Sequence, residues 1–119
     1  MPDLTRQEVI KILAIATQAR LAGVDLSGLN LSGLNFAEAD LTRANLAHVN
    51  LTNAYLRSAR MEDSDLEGAL LVNANLKQAN LKGANLKNTD LSEANLTDAN
   101  LYNANLAGAR MEHVRGILL

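Results

Sequence analysis

The chain has 119 residues, enough for one domain, and 48% of them are hydrophobic although only 3% are aromatic. A core of this size usually includes more Phe, Tyr and Trp, so the sequence predicts a narrow core filled by Leu and Ala. A net charge of −2 excludes a strong attraction for nucleic acid, and the lack of cysteine excludes disulfides and thiolate metal sites. No apolar run approaches the roughly 20 residues of a membrane span, and the first residues lack a signal-peptide pattern. We therefore expect a cytoplasmic protein that binds no membrane.

The first segment has a helical pattern. Thr5 and Glu8 have the spacing of a capping box, in which each side chain accepts a hydrogen bond from the other residue's amide. Apolar residues then follow helical spacing, and Gly23 is a natural helix stop. The pattern predicts one helix from Arg6 to about Leu21.

A five-residue repeat begins after this segment. A large apolar residue recurs at every fifth position from Leu26 to Met111, eighteen times without a break, and a second series of mostly small residues, chiefly Ala, lies two positions before it. Asn or Asp usually lies between the two, and two variable polar residues complete the unit. Residues two apart share one face of a strand, so the Ala and Leu of each unit point inward and the polar pair turns a corner. Four such units form a square coil of about twenty residues, with coils stacked at the roughly 4.8 Å spacing of a sheet.

The tandem motif A-(D/N)-L-x-x resembles the pentapeptide-repeat family over about residues 24–115. The resemblance implies an all-β solenoid, a right-handed quadrilateral β-helix, with an N-terminal capping α-helix. We divide the chain into a capping helix in residues 1–23, the repeat β-helix in residues 24–115 and a tail in residues 116–119. Since the end of a solenoid exposes core and unpaired strand edges, we expect the helix to cover the N-terminal end.

Some departures from the motif suggest local detail. Val24, Leu29 and Leu34 place larger groups in the first coil, where the interior is expected to be wider or to pack against the cap. Ser64 and Thr89 point hydroxyls inward, and we expect these to bond nearby backbone carbonyls. The outward Asn residues recur twenty positions apart, which suggests amide ladders along each side.

The tail ends in three apolar residues, Ile117, Leu118 and Leu119. They lie beside the end of the solenoid that has no obvious cap. Two arrangements remain open: these residues form the contact of an end-to-end homodimer, or they fold back over the last coil.

No catalytic, cofactor-binding or metal-binding constellation emerges from the sequence. His48 and His113 fall at outward turn positions on different sides, so a metal site would need a partner chain. A filled rod offers no cleft in which carboxylates or a serine could be activated. We therefore expect a protein that is not an enzyme and that needs no cofactor.

The family resemblance raises two functions. The first is a protein–protein interaction or scaffold module with an unidentified protein partner and no direct nucleic-acid binding. The alternative is the quinolone-resistance type, in which members are thought to mimic duplex DNA and bind a type II topoisomerase such as DNA gyrase. Mimicry needs unpaired carboxylates, whereas the twenty-residue register places Asp40 beneath Arg60 and Glu67 beneath Lys87, with similar matches for Glu62, Asp63 and Asp90. The interaction module is the favoured interpretation.

One outward cluster breaks the polar pattern. Leu70 and Val72 flank the core residue Leu71, and Tyr55 lies past the next corner, one coil from Asn75. Exposed apolar clusters often mark contacts, and Tyr is favoured at interface centres. We predict that Leu70, Val72 and Tyr55 form a partner-binding site.

Overall fold

The helix α1 spans Arg6–Ile15, and its start follows the predicted capping box. The Glu8 N–H donates to Thr5 Oγ1 at 3.2 Å, and the Thr5 N–H donates to Glu8 Oε1 at 3.0 Å. These two bonds satisfy amides that have no partner inside the helix. The computed structural model describes residues 1–117, so Leu118 and Leu119 lie outside the described residues.

The prediction that α1 continues to about Leu21 is wrong. The helix ends at Ile15, and Ala16 is already extended. Ala19-Arg20-Leu21 forms the first unit of the coil, with Ala19 and Leu21 buried and Arg20 bridged to Asp40. Burial and backbone pairing outweigh the weak helix propensity of this stretch. Gly23 therefore occupies a corner of the coil, at φ +71°, and is not a helix stop.

The coils repeat every twenty residues, as the sequence predicts. Parallel bridges join each outward residue to the residue twenty positions later, from Arg20–Asp40 to Asn95–Arg115. Each side of a coil contributes one bridge residue, and the described residues contain no strand longer than this single residue. We number the four sides by their outward residues. Side one carries Asp25, Asn45, Asp65, Asn85 and Asn105; side two Asn30, Asn50, Leu70, Asp90 and Arg110; side three Asn35, Tyr55, Asn75, Asn95 and Arg115; side four Arg20, Asp40, Arg60, Asn80 and Asn100.

The ladder bonds follow one scheme on every side. For example, the Leu46 N–H donates to the Asp65 carbonyl at 2.7 Å, and the Asp65 N–H donates to the Ala44 carbonyl at 3.0 Å. Each outward residue thus pairs with the two inward residues of the coil before it, which is the parallel pattern. The rod measures 38 × 26 × 21 Å.

Stacked Leu and Ala fill the interior. The twenty-residue register predicts columns such as Leu46–Leu66–Leu86 and Leu41–Met61–Leu81, and all six of these residues are buried. The inward hydroxyls also behave as expected, because Ser64 Oγ donates to the Met61 carbonyl at 2.7 Å and Thr89 Oγ1 donates to the Leu86 carbonyl at 2.9 Å. The larger first-coil residues Val24, Leu29 and Leu34 are half-buried against the core.

Each corner is a four-residue turn with a left-handed residue at its third position. At one corner the Ala44 N–H donates to the Leu41 carbonyl at 3.0 Å, and Arg43 has φ +57°. Positive φ at this position is typical of a type II turn. Among residues 1–117, thirteen non-glycine residues adopt it, as do glycines such as Gly28 and Gly68.

Candidate functional site: the uncharged panel on sides two and three

The outward Asn and Asp residues hold the corners in place. Each accepts, through its side-chain oxygen, a hydrogen bond from the N–H two residues later, as when Asn75 Oδ1 accepts from Lys77 at 3.1 Å. This Asx turn is a local bond that Leu, Tyr or Arg cannot make. In the described part of the chain, the fourteen residues that make it are Asp25, Asn30, Asn35, Asp40, Asn45, Asn50, Asp65, Asn75, Asn80, Asn85, Asp90, Asn95, Asn100 and Asn105.

The expected Asn ladders are replaced by these turns. Among residues 1–117, no side-chain bond joins Asn75 to Asn95 or Asn80 to Asn100, and the side-chain oxygen of each accepts a corner N–H. A bond between stacked outward residues does form on side one, where Asn85 Nδ2 donates to Asp65 Oδ1 at 3.2 Å. The preference for Asn and Asp thus comes mainly from turn formation.

Leu70 and Tyr55 occupy the same outward position without an acceptor. Leu70 is bridged to Asn50 and Asp90 on side two, and Tyr55 to Asn35 and Asn75 on side three. Their exposed fractions are 44% and 55%. These two positions therefore give up a turn bond and place an apolar group in solvent.

Val72 lies on the corner between these two sides and is half-buried, although its place in the repeat predicts a side chain that faces solvent. Thr52 and Ser92, which precede and follow it in the same stack, are also half-buried. At this corner, the first residue of each turn therefore packs partly against its neighbours on the adjacent coils. The structure places Leu70, Val72 and Tyr55 around one edge of the rod.

This edge carries no ionisable charge over three coils. We call it the uncharged panel, bounded by Arg6 below, where its Nη1 donates to the Asn30 carbonyl, and by Asp90 and Glu93 above. Its outward residues are Asn30, Ser32, Gly33, Asn35, Asn50, Thr52, Asn53, Tyr55, Leu70, Val72, Asn73 and Asn75. Asn73 Nδ2 donates to Asn53 Oδ1 at 2.7 Å across the panel. The sequence shows this absence of charge only when it is written in rows of twenty.

The other three corners of the rod are charged. Arg57 and Lys77 stack between sides three and four, and Glu67 and Lys87 stack between sides one and two, with Lys87 Nζ 3.9 Å from Glu67 Oε1. Arg60 Nη2 also contacts Asp40 Oδ2 at 3.3 Å, so two of the five expected ion pairs form.

The other three expected ion pairs are absent from the described residues. Arg110 pairs with Glu112 at 3.8 Å in place of Asp90. Glu62 accepts from Asn80 Nδ2 at 2.9 Å and does not pair with Lys82. The expected contact between Arg43 and Asp63 does not appear either. The twenty-residue register therefore brings charged residues close together, but it does not determine which of their side chains form ion pairs.

Three carboxyls at Asx turns have lowered pKa values. The Thr42 hydroxyl and N–H lower the pKa of Asp40, and Ser27 and Ser92 do the same for Asp25 and Asp90. In each case the hydrogen bonds favour the ionised form. These shifts belong to turn formation, since each group lies on the surface.

The remaining chemistry-bearing residues are dispersed. His48 and His113 are both exposed on corners. Residues 1–117 contain no group of three or more His, Cys, Asp or Glu side chains placed to hold a metal ion. Within the same part of the chain, no helix has the length and apolar character needed to cross a membrane.

The C-terminal end of the rod is partly open. Leu101, Leu106 and Met111 are half-buried, whereas Leu81, Leu86 and Leu91 one coil earlier are fully buried. Gly116 occupies a position that is large and apolar in the preceding coils, and a Cβ there would meet the Thr97 backbone. Ile117 packs partly buried against the core. Leu118 and Leu119, the other two residues of the predicted dimer contact, lie outside the described residues.

The model of the family described as pentapeptide repeats matches eight copies across overlapping segments from residue 19 to residue 115. The chain belongs to the pentapeptide-repeat family. The first matched residue agrees with Ala19 as the start of the coil. No curated protein sequence matches this chain.

Solved structures of pentapeptide-repeat proteins resemble the chain. A pentapeptide-repeat protein from the Arabidopsis thaliana thylakoid lumen is 30% identical with a TM-score of 0.74, over 78% of this chain and 66% of that one. Rfr23 from the cyanobacterium Cyanothece 51142 is 36% identical with a TM-score of 0.43, over 79% and 65%. QnrB1, a plasmid-mediated fluoroquinolone resistance protein, is 24% identical with a TM-score of 0.39, over 80% and 59%. The chain therefore spans two thirds or less of these pentapeptide-repeat proteins.

Proposed function

We propose that this pentapeptide-repeat protein is a non-catalytic protein-binding module and that its partner binds the uncharged panel. The observation that carries the proposal is the pair Leu70 and Tyr55, which replace a turn-forming Asn or Asp with an exposed apolar side chain. Positions that break a local rule without a structural gain are expected at functional sites. Both residues fall on the uncharged part of the rod.

The chemistry of the panel suits a protein surface. Interface centres are depleted of charge and enriched in Tyr. The panel combines three apolar groups with Asn amides, which both donate and accept hydrogen bonds. A matching partner surface would be uncharged, with an apolar group opposite Leu70 and Tyr55. Because no ion pair is involved, binding should depend weakly on salt.

The proposal is tested by comparing what two variants capture from a cell lysate. The panel variant is Leu70→Asn, Val72→Thr, Tyr55→Asn, which restores the usual polarity of the repeat. The matched control is Arg57→Gln, Lys77→Gln on the charged corner. We expect the proteins bound by the wild type to be lost from the panel variant and kept by the control. Equal capture by all three chains contradicts the proposal.

We also propose that a second copy of the chain binds at the C-terminal end of the rod. The N–H groups of Leu101, Leu106 and Met111 have no hydrogen-bond partner among residues 1–117, and their side chains are half-exposed. Pairing two such ends would hide open sheet edges and apolar surface together. Ile117, Leu118 and Leu119 are the proposed contacts.

DNA mimicry is the alternative function, and the surface charges favour it less. Asp40 and Glu67 lie against Arg60 and Lys87, which weakens the negative field that a mimic needs. A supercoiling assay with DNA gyrase distinguishes the two functions. We expect no inhibition of supercoiling by the wild-type chain.

A further inference from the structure

The N-terminal segment covers the open edge of the first coil on two sides. On side one, the Asp3 N–H donates to the Asp25 carbonyl at 2.6 Å, and the Asp25 N–H donates to Asp3 Oδ2 at 2.8 Å. On side two, Arg6 Nη1 donates to the Asn30 carbonyl at 2.6 Å. On side four the first coil begins with Ala19-Arg20-Leu21, and the main-chain N–H and C=O of Arg20 have no hydrogen-bond partner among residues 1–117. The N-terminal segment therefore covers two of the four edges.

Side three lacks such a partner. By the ladder scheme, the Asn35 carbonyl would accept from residue 16, and the Asn35 N–H would donate to the carbonyl of residue 14. The Ala16 N–H instead donates to the Ile12 carbonyl at 3.1 Å, and Ala14 lies within α1. In the described chain, the main-chain N–H and C=O of Asn35 have no hydrogen-bond partner. They form an open strand edge.

A cavity lies beside this edge. It has a volume of about 310 Å³, in the size range of ligand pockets, and it opens to solvent. Apolar groups of α1 form one wall, and the first coil, with Leu34 and Asn35, forms the other. None of its lining residues is charged. The open edge and the cavity together form a slot between α1 and side three.

We propose that this slot binds an extended, uncharged peptide segment of a partner protein by β-strand addition. The incoming strand runs parallel to side three and takes the ladder position that residue 15 would occupy if the coil continued downward. Its main chain pairs with Asn35, in the way that Arg20 pairs with Asp40 on side four. Strand addition of this kind draws affinity from main-chain bonds and specificity from alternate side chains.

The cavity sets the side chain that the peptide must carry. Residues on either side of the bridging position point inward, toward Leu34 and α1. An apolar side chain there fills the cavity, and a charged one meets no opposite charge. The slot therefore selects an uncharged residue at the bridging position, with a small or apolar residue on either side of it. The repeat itself has this pattern. The slot adjoins the uncharged panel at Asn35, which is bridged to Tyr55, but its contacts are with the Asn35 main chain and α1 and do not involve the side chains of Leu70 or Tyr55.

A synthetic peptide tests the proposal directly. The probe is residues 72–78 of this chain with Lys77→Gln, which presents the side-three unit Ala74-Asn75-Leu76 to Asn35. Titration into the isotope-labelled full chain is followed by amide chemical shifts. We expect a saturable shift of the Asn35 amide and of α1, with a dissociation constant on the order of 1 mM for so short a strand.

Matched variants keep the result interpretable. The variant Ala14→Trp fills the mouth of the cavity from α1, and Gln7→Trp places the same side chain on the helix away from it. We expect Ala14→Trp, or a probe with Leu76→Asn, to weaken binding about tenfold, and Gln7→Trp to leave it unchanged. The proposal is overturned if the Asn35 amide does not shift, if Ala14→Trp binds as tightly as the wild type, or if shifts appear only at Leu101, Leu106 and Met111.

Discussion

Leu70 and Asn75 occupy equivalent outward positions on neighbouring sides of the rod, but only Asn75 forms an Asx turn. Its Oδ1 accepts from the Lys77 N–H at 3.1 Å, whereas the corner after Leu70 has no side-chain acceptor. The chain gives up this local bond at Leu70 and Tyr55, as it also does at outward Arg residues such as Arg60, but at Leu70 and Tyr55 it places an apolar side chain in solvent. We attribute the replacement of a turn-forming residue by an apolar one to partner binding at that surface.

The missing turn bond can be measured by restoring it. Leu70→Asn and Leu70→Ala lose the same apolar contact, but only Asn supplies the acceptor. We expect Leu70→Asn to be more stable than Leu70→Ala by about 0.5–1.5 kcal/mol, the net value of one hydrogen bond. Asn75→Ala should lose a similar amount relative to the wild type. Urea unfolding of the four chains measures these differences, and equal stability of the two Leu70 variants would falsify the turn argument.

The contact between His48 and Gly68 predicts a difference between glycines of identical backbone geometry. Gly28 and Gly68 have φ of +71° and +69°, but a Cβ on Gly68 would lie 2.5 Å from His48 Nδ1, while a Cβ on Gly28 would meet nothing within 4 Å. Because the exposed His48 ring must turn aside, we expect Gly68→Ala to destabilise more than Gly28→Ala by about 0.5–1.5 kcal/mol, the cost of a displaced rotamer.

A double-mutant cycle assigns the cause of that difference. Replacing His48 by Ala removes the ring, so the extra cost of Gly68→Ala should disappear in the His48→Ala background. Persistence of the full cost in that background would show that backbone strain, and not the imidazole, accounts for the difference.

Stability should fall in acid because of the Asx-turn carboxyls. The pKa values of Asp25, Asp40 and Asp90 are lowered from 3.8 in the folded chain, so folding favours the ionised forms. Their contribution is present above 3.8 and is lost as the pH falls through the lower folded values. The variant Asp25→Asn, Asp40→Asn, Asp90→Asn keeps the turn acceptors, so its melting temperature should change less across this window. A parallel acid dependence in the two chains would count against the assignment.

The C-terminal contact is tested by sedimentation. The full chain is compared with a chain that ends at Arg115, which lacks Ile117, Leu118 and Leu119. We expect a concentration-dependent dimer for the full chain and a monomer, or a much weaker dimer, for the shortened one. A full chain that remains monomeric at high concentration rules out the end-to-end dimer and favours the fold-back arrangement.

The sequence predicts the register of the rod because the large apolar residues recur with a single period and all point to the interior. Counting by twenty places Leu66 above Leu46 and Asp65 above Asn45, and the ladder of bridges confirms this register. The end of α1 could not be placed in the same way, since Ala16 fits the helical spacing while Ala19-Arg20-Leu21 fits the repeat. Tertiary burial of Leu21 decides between them, and local propensity does not report it.

Neither the role of the Asn residues nor the slot beside Asn35 could be predicted from the sequence. An outward Asn is compatible with both an amide ladder and an Asx turn, and only the direction of its oxygen separates them. The slot depends on how α1 lies against side three, which no residue pattern specifies. The Leu70, Val72 and Tyr55 site remains a prediction.

The most direct measurement of the central claim compares the two tyrosines of the chain. Tyr55 lies on the uncharged panel, and Tyr102 lies on the corner between sides four and one; they are 55% and 66% exposed. Each is replaced in turn by a photoreactive phenylalanine, and the two chains are illuminated in the lysate from which partners are captured. We expect a discrete protein adduct at position 55 and none at position 102. Equal labelling at both positions, or labelling at 102 alone, would show that partners do not bind through the uncharged panel.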